Sequence, residues 1–124
     1  MATKVLIVDD EASDREYLQL WLEDWGYSVT VAGSAAEALG AMLTQPAAIV
    51  LCDVRMPRYD GLWLVERVRA KWPHTAIVMA TAVDDLETVL KAKRAGVLDY
   101  LTKPLNRELL RQTLSRANDE IMSR

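Results

Sequence analysis

The sequence predicts an α/β protein, a parallel sheet covered by helices on both faces. Strand-like and helix-like patterns alternate five times along the chain, and strands linked through helices run parallel. The strand-like runs are short and aliphatic, as in Val5-Leu6-Ile7-Val8, Ala48-Ile49-Val50-Leu51-Cys52 and Ala76-Ile77-Val78-Met79-Ala80, the composition of strands buried on both faces. Polar groups close these runs: Asp9-Asp10 the first, Asp53 the third, Thr81 the fourth, and Lys103-Pro104 the fifth, Val97 to Thr102. Ligands of open parallel sheets gather outside the carboxyl ends of the strands. The same residues therefore predict one crevice holding carboxylates, a hydroxyl and an ammonium.

Each helix carries its own start and stop signals. Ser13 with Glu16 reads as a capping box opening the first helix. Leu18, Trp21, Leu22 and Trp25 then form one apolar stripe, and Gly26 ends the helix. Tyr27 to Ala32 reads as the second strand. Ser34 with Glu37 opens a helix through Ala38, Leu39 and Met42 that stops before Pro46. Asp60-Gly61 opens the third, with Leu62, Val65, Val68 and Arg69 behind it, ending at Trp72-Pro73. Asp84 with Glu87 caps a fourth helix, closed by Gly96, and Asn106 caps the last, whose Leu110, Leu114, Ala117 and Ile121 share one face. No repeat, low-complexity tract or linker interrupts the pattern, so residues 1–124 are expected to form a single domain.

Bulk properties narrow the class. A chain of 124 residues with 51% hydrophobic content can bury a core of its own. A formal net charge of −3 argues against nucleic acid as a direct partner. No apolar stretch approaches the ~20 residues of a membrane span, and Met1 to Lys4 leads straight into a strand without a signal peptide, so a cytoplasmic location is expected. The single cysteine, Cys52, lies inside an aliphatic run and reads as a small core residue. Trp21, Trp25, Trp63 and Trp72 sit at helical spacing or helix ends, which favours packing over a stacking surface. His74 follows Pro73 in a turn and is assigned no chemistry. Arg107, Arg111, Arg116 and Arg124 read as the solvated side of the last helix.

Asp9, Asp10 and Asp53 brought together would repel one another unless a cation neutralised them. Mg²⁺ suits such a site, because it takes only one or two protein carboxylates and keeps several waters or phosphate oxygens. One carboxylate can then act as nucleophile toward phosphorus and form an aspartyl phosphate. The charge on the transferring oxygens calls for a cation and a hydrogen-bond donor, which Lys103 and Thr81 supply. An acidic pair after a strand is by itself more often a helix-capping cluster. The joint set is what points to phosphoryl chemistry.

Over essentially its whole length the sequence resembles the receiver domain of two-component response regulators, the CheY-like family. The resemblance rests on Asp9-Asp10-Glu11, Asp53-Val54-Arg55-Met56-Pro57 with Asp60-Gly61, Thr81-Ala82, and Ala95-Gly96 leading to Asp99-Tyr100-Leu101-Thr102-Lys103-Pro104. It implies a flavodoxin-like, doubly wound (βα)5 fold with strand order 2-1-3-4-5. It makes Asp53 the phosphoacceptor, charged by a sensor histidine kinase, a phosphotransfer protein or a small phosphodonor. It places Mg²⁺ on Asp10, Asp53 and the Arg55 backbone carbonyl, with Asp9 assisting, and pairs Lys103 with the phosphate ahead of a cis Pro104. Thr81 would contact the phosphate and Tyr100 would be the aromatic that changes rotamer. The expected product is a switch, not an enzyme, whose surface of helix 4, strand 5 and helix 5 changes for an effector domain, a partner protein or a phosphorylation-linked homodimer.

The departures from the family pattern are small. Arg55 occupies a freely varied position, Val83 is apolar where many relatives are polar, and Leu105 stands where Phe is frequent. Only part of the charge set used for dimerisation by one winged-helix subfamily is present. Two other classes share part of this residue set. Aspartyl-nucleophile phosphatases place their nucleophile on the first strand in an Asp-x-Asp pattern, whereas adjacent aspartates stand there in this chain. Phosphate-independent receivers serving as interaction modules usually lack the acidic pair, the acceptor or the lysine, all of which are present.

Overall fold

The computed structural model describes residues 2–123; Met1 and Arg124, both named above, lie outside the described residues. Strands and helices alternate as β1 (Lys4–Val8), α1 (Ala12–Asp24), β2 (Ser28–Ala32), α2 (Ala35–Thr44), β3 (Ile49–Cys52), α3 (Gly61–Lys71), β4 (Ala76–Thr81), α4 (Leu86–Ala95), β5 (Asp99–Thr102) and α5 (Arg107–Met122). The five strands form one parallel sheet in the order β2-β1-β3-β4-β5, as the resemblance implies. Central β3 and β4 are buried along their whole length, while the edge strands β2 and β5 keep exposed positions.

Strand alternation divides the core in two. Leu6, Val8, Val50, Cys52, Ile77 and Met79 point to the side covered by α2, α3 and α4, where Ala38, Met42, Leu64, Val68 and Ala92 meet them. Val5, Ile7, Ile49, Leu51, Val78 and Ala80 point to the other side, covered by Leu18 and Leu22 of α1 and by Leu110, Leu114 and Ala117 of α5.

The cap residues at Ser34, Asp60 and Asn106 are those expected; each side chain accepts the backbone N–H three residues on, from Glu37, Trp63 and Leu109. Three expectations need correction. Helix α1 starts at Ala12 behind Glu11, not at Ser13. The Asp9 carboxylate takes the Glu11 N–H, and the Glu11 carbonyl already accepts from Arg15, so the turn closes before Ser13 can cap it. Helix α4 is capped by Asp85, whose Oδ2 accepts both the backbone N–H and the hydroxyl of Thr88, and not by Asp84. The fifth strand begins at Asp99, because Gly96 ends α4 in the left-handed region (φ 99°) and the Val97 N–H still bonds back to Ala92.

All four tryptophans are partly buried, as the helical spacing predicts. Trp21 and Trp25 stack under the Arg107 guanidinium, and Trp63 stacks on Tyr59 under Arg67. The arginine face of α5 is exposed, but Arg107 pairs with Asp24 and Arg116 with Asp99. No described helix is long and apolar enough to cross a membrane.

Candidate functional site

Strand register assembles the site. Val8 of β1 lies opposite Cys52 of β3, and Thr81 of β4 lies opposite Thr102 of β5. The residues that follow therefore emerge side by side at the carboxyl edge, where the chain first turned to β2 and then reversed past β1 to β3. Backbone bonds prolong the ladder into the loops, from Asp53 N–H to the Val8 carbonyl (2.9 Å) and from Lys103 N–H to the Thr81 carbonyl (2.8 Å). The loops thus leave the sheet already ordered. Gly61 packs α3 against the loop bearing Asp53: an added Cβ there would lie 2.1 Å from the Asp53 carbonyl oxygen.

The centre of the site is the Lys103 ammonium. It donates to Asp9 Oδ2 (2.6 Å), Asp14 Oδ2 (2.7 Å) and Asp53 Oδ2 (2.9 Å). Burial alone would lower the lysine pKa, but the carboxylates of Asp14, Asp9 and Asp53 outweigh it, and the ammonium sits well above the usual lysine range. Asp9 is fully buried, and burial pushes its carboxyl above the ordinary carboxylate value against the pull of Lys103 and the Glu11 N–H. Asp53 is fixed at both oxygens, its Oδ1 accepting the Arg55 N–H at 3.2 Å. The Lys103-Pro104 bond is cis.

A cavity of about 590 Å³ opens over these groups, lined by Asp10, Asp53, Arg55, Thr81 and Lys103 together with residues of the β4–α4 loop. Asp10 is exposed on its rim. Thr81 is buried, with its Oγ1 accepting the Val83 N–H at 3.2 Å, and the Tyr100 hydroxyl donates to the Val83 carbonyl. Thr81 and Tyr100 are thereby fastened to the same residue of one loop. Cys52, just before Asp53, is buried, and burial raises its thiol pKa well above normal, so it is an inert core residue.

The donor set fits Mg²⁺ in kind. Asp10 and Asp53 present hard oxygen ligands to one cavity, which matches an ion that takes one or two carboxylates and keeps its waters. Among the described residues no three acidic, histidine or cysteine groups converge as a ready-made cage; an ammonium stands between the innermost carboxylates instead.

The structure thus brings Asp9, Asp53 and Lys103 into contact, sets Asp10, Arg55 and Thr81 around the same cavity, and holds Tyr100 one loop away. Sequence reasoning missed Asp14 and the steric part played by Gly61. The sequence shows Asp14 only as an acidic residue in the first turn of α1, which reads as a helix-terminus charge and carries no signal for Lys103.

Residues 5–115 match the family model described as the response regulator receiver domain. The chain is 41% identical over 113 residues to the transcriptional regulatory protein ZraR of Salmonella typhimurium, covering 91% of this chain and 26% of ZraR. It is 36% identical over 114 residues to the response regulator protein PilR of Pseudomonas aeruginosa, covering 92% of this chain and 26% of PilR. The chain therefore spans about a quarter of the length of these curated relatives. Among solved structures, the chemotaxis protein CheY4 of Vibrio cholerae superposes with a TM-score of 0.88 at 34% identity, covering 94% of this chain and 99% of that one. The signal receiver domain of an HD domain-containing protein from Pseudomonas fluorescens gives a TM-score of 0.96 at 26% identity with both chains fully covered. With strand order, strand-tip residues and family model in agreement, the chain belongs to the receiver domain family of two-component response regulators.

Proposed function

We propose that this receiver accepts a phosphoryl group on Asp53 from a sensor histidine kinase or phosphotransfer protein, in a Mg²⁺-dependent reaction. The observation that carries the proposal is the setting of Asp53. It lies at a strand tip, open to the cavity, with one oxygen on the Arg55 N–H and the other on the Lys103 ammonium. In the step itself a lone pair of the Asp53 carboxylate forms a bond to phosphorus. The phosphorus–nitrogen bond to the donor histidine breaks, and the departing nitrogen keeps its electron pair. Lys103 and the hydroxyl of Thr81 face the charge that gathers on the phosphoryl oxygens. Asp10, Asp53 and the Arg55 carbonyl, with Asp9 behind them, would hold Mg²⁺, which supplies charge neutralisation to the transferring group when bound.

Output is proposed to run through the β4–α4 loop. Thr81 and Tyr100 both bond to Val83, so drawing the Thr81 hydroxyl toward a phosphate releases one anchor of the loop on which Tyr100 rests. The α4–β5–α5 surface then changes for an effector. The relatives' names include a transcriptional regulator, and an effector of that kind attached to or recruited by this domain is the proposed output.

The test is incubation with phosphoramidate and Mg²⁺, followed by mass spectrometry and NMR of the Tyr100 ring. One phosphoryl group should be gained, none in Asp53→Asn, with Tyr100 resonances shifting in the wild type alone. Labelling that persists in Asp53→Asn would sink the assignment, and an unmoved Tyr100 would redirect the output route.

A further inference from the structure

Lys103 is held by one carboxylate that phosphoryl transfer does not call for. Asp14 Oδ2 accepts from the ammonium at 2.7 Å, a contact between those of Asp9 (2.6 Å) and Asp53 (2.9 Å) in length. An ammonium carries only three N–H donors, so these contacts occupy all of them. The acceptors differ in access to water, with side-chain exposures of 2% for Asp9, 10% for Asp53 and 25% for Asp14. They also differ in origin. Asp9 and Asp53 follow strands, whereas Asp14 comes from the first turn of α1 and lines both the main cavity and a groove formed with Tyr17, Trp21, Pro104 and Leu105.

We propose that Asp14 is a positioning residue that tethers Lys103 to α1 and restrains phosphoryl acceptance by Asp53. The inference rests on the function proposed above. To serve a phosphoryl oxygen, Lys103 must give up an existing N–H contact. Releasing Asp9 or Asp53, whose side chains are 2% and 10% exposed, would leave a buried carboxylate without its cation, which is the less favourable exchange. Asp14 is a quarter exposed, so water can replace the ammonium there at least expense. The Asp14 contact is the one exchanged, and its strength adds to the barrier. The Asp14 charge, facing the same cavity, also opposes the entry of an anionic phosphodonor, so both effects slow the reaction. A purely structural Asp14 would instead serve only the positive N-terminus of α1.

The experiment compares the full chain with Asp14→Asn, Asp14→Ser and Asp14→Glu at saturating Mg²⁺ with phosphoramidate. In the measured step a phosphorus–oxygen bond to Asp53 forms, the phosphorus–nitrogen bond breaks, and the nitrogen takes a proton from solvent to leave as ammonia. The initial rate should rise about two- to fivefold in the Asn and Ser variants, the factor expected for a partly exposed ion pair, and fall back toward wild type in Asp14→Glu. The ¹⁵N–¹H signal of the Lys103 ammonium in the unphosphorylated protein should move in the Asn and Ser variants. Having two charge-removing variants keeps the test intact if one folds poorly by circular dichroism. Rates equal to or below wild type, or an unmoved ammonium signal, would overturn the tether. If wild type takes no phosphoryl group, the proposed function fails, and the ammonium signal still decides whether Asp14 holds Lys103.

Discussion

Replacing Gly61 by alanine probes how tightly the acceptor loop is built. The added Cβ would lie 2.1 Å from the Asp53 carbonyl oxygen, 2.9 Å from its carbonyl carbon and 2.9 Å from Val54 Cα. Ordinary contact begins near 3.4 Å, so helix and loop must separate by roughly 1 Å. The neighbours are backbone atoms at the junction of β3 and α3, and no side chain can rotate away. The Gly61 N–H also donates to the Val54 carbonyl at 2.7 Å, a bond the separation would stretch. Overpacking of this kind costs about 1–3 kcal/mol. For a domain of this size that corresponds to a drop in melting temperature of about 3–12 °C. The larger effect falls on chemistry, because Asp53 is the residue displaced and a misplacement of about 1 Å can lower a rate on the order of 100-fold. Thermal melting by circular dichroism and the phosphoramidate reaction rate measure the two effects. A Gly61→Ala protein that melts and phosphorylates like wild type would refute the steric argument.

Two further predictions follow from the charged groups. Lys103→Ala removes the cation from among Asp9, Asp14 and Asp53; breaking a buried pair costs about 3–5 kcal/mol, and the partial exposure of Asp14 and Lys103 reduces this to about 2 kcal/mol in EDTA at pH 7. Asp9 already titrates above the ordinary carboxylate value and rises further in the variant, so its stabilising protonation is lost as pH rises; chemical denaturation should show the deficit shrinking toward pH 5 and with added Mg²⁺, and equal stability of variant and wild type at pH 7 in EDTA would contradict it. At Asp99, burial works to raise the carboxyl pKa, but the Tyr100 N–H, Arg116 at 2.8 Å and Lys93 hold it below the usual value. Its stabilising effect is present above about pH 4 and lost as pH falls through the depressed folded value, so melting temperature between pH 2.5 and 6 should fall less steeply in Asp99→Asn; the effect is at most about 1 kcal/mol because Arg116 is exposed, and parallel acid limbs would refute it.

The sequence by itself determined the layered architecture and the strand-tip chemistry of this protein. Aliphatic runs such as Ile49 to Cys52 can only be buried on both faces, and Ser34, Asp60 and Asn106 satisfy the N–H groups of their own helices through bonds three residues away. Such interactions are local, so the residue types reveal them. Strand order was legible through the family resemblance and not through the patterns, which would suit several orders. Tertiary structure alone decided where competing local signals met longer-range ones. Ser13 is a good cap in isolation but loses to Glu11, because the Asp9 carboxylate at the strand tip already binds the Glu11 N–H. Asp84 and Asp85 are equivalent caps by type, and only the turn leaving β4 selects the second. Asp14 gives no sign that it reaches Lys103, 89 residues away; that contact depends on the phase of α1 over the sheet and on the loop after β5 crossing the same edge. The part played by Gly61 is equally invisible, because a missing Cβ acquires meaning only when another piece of backbone occupies its place.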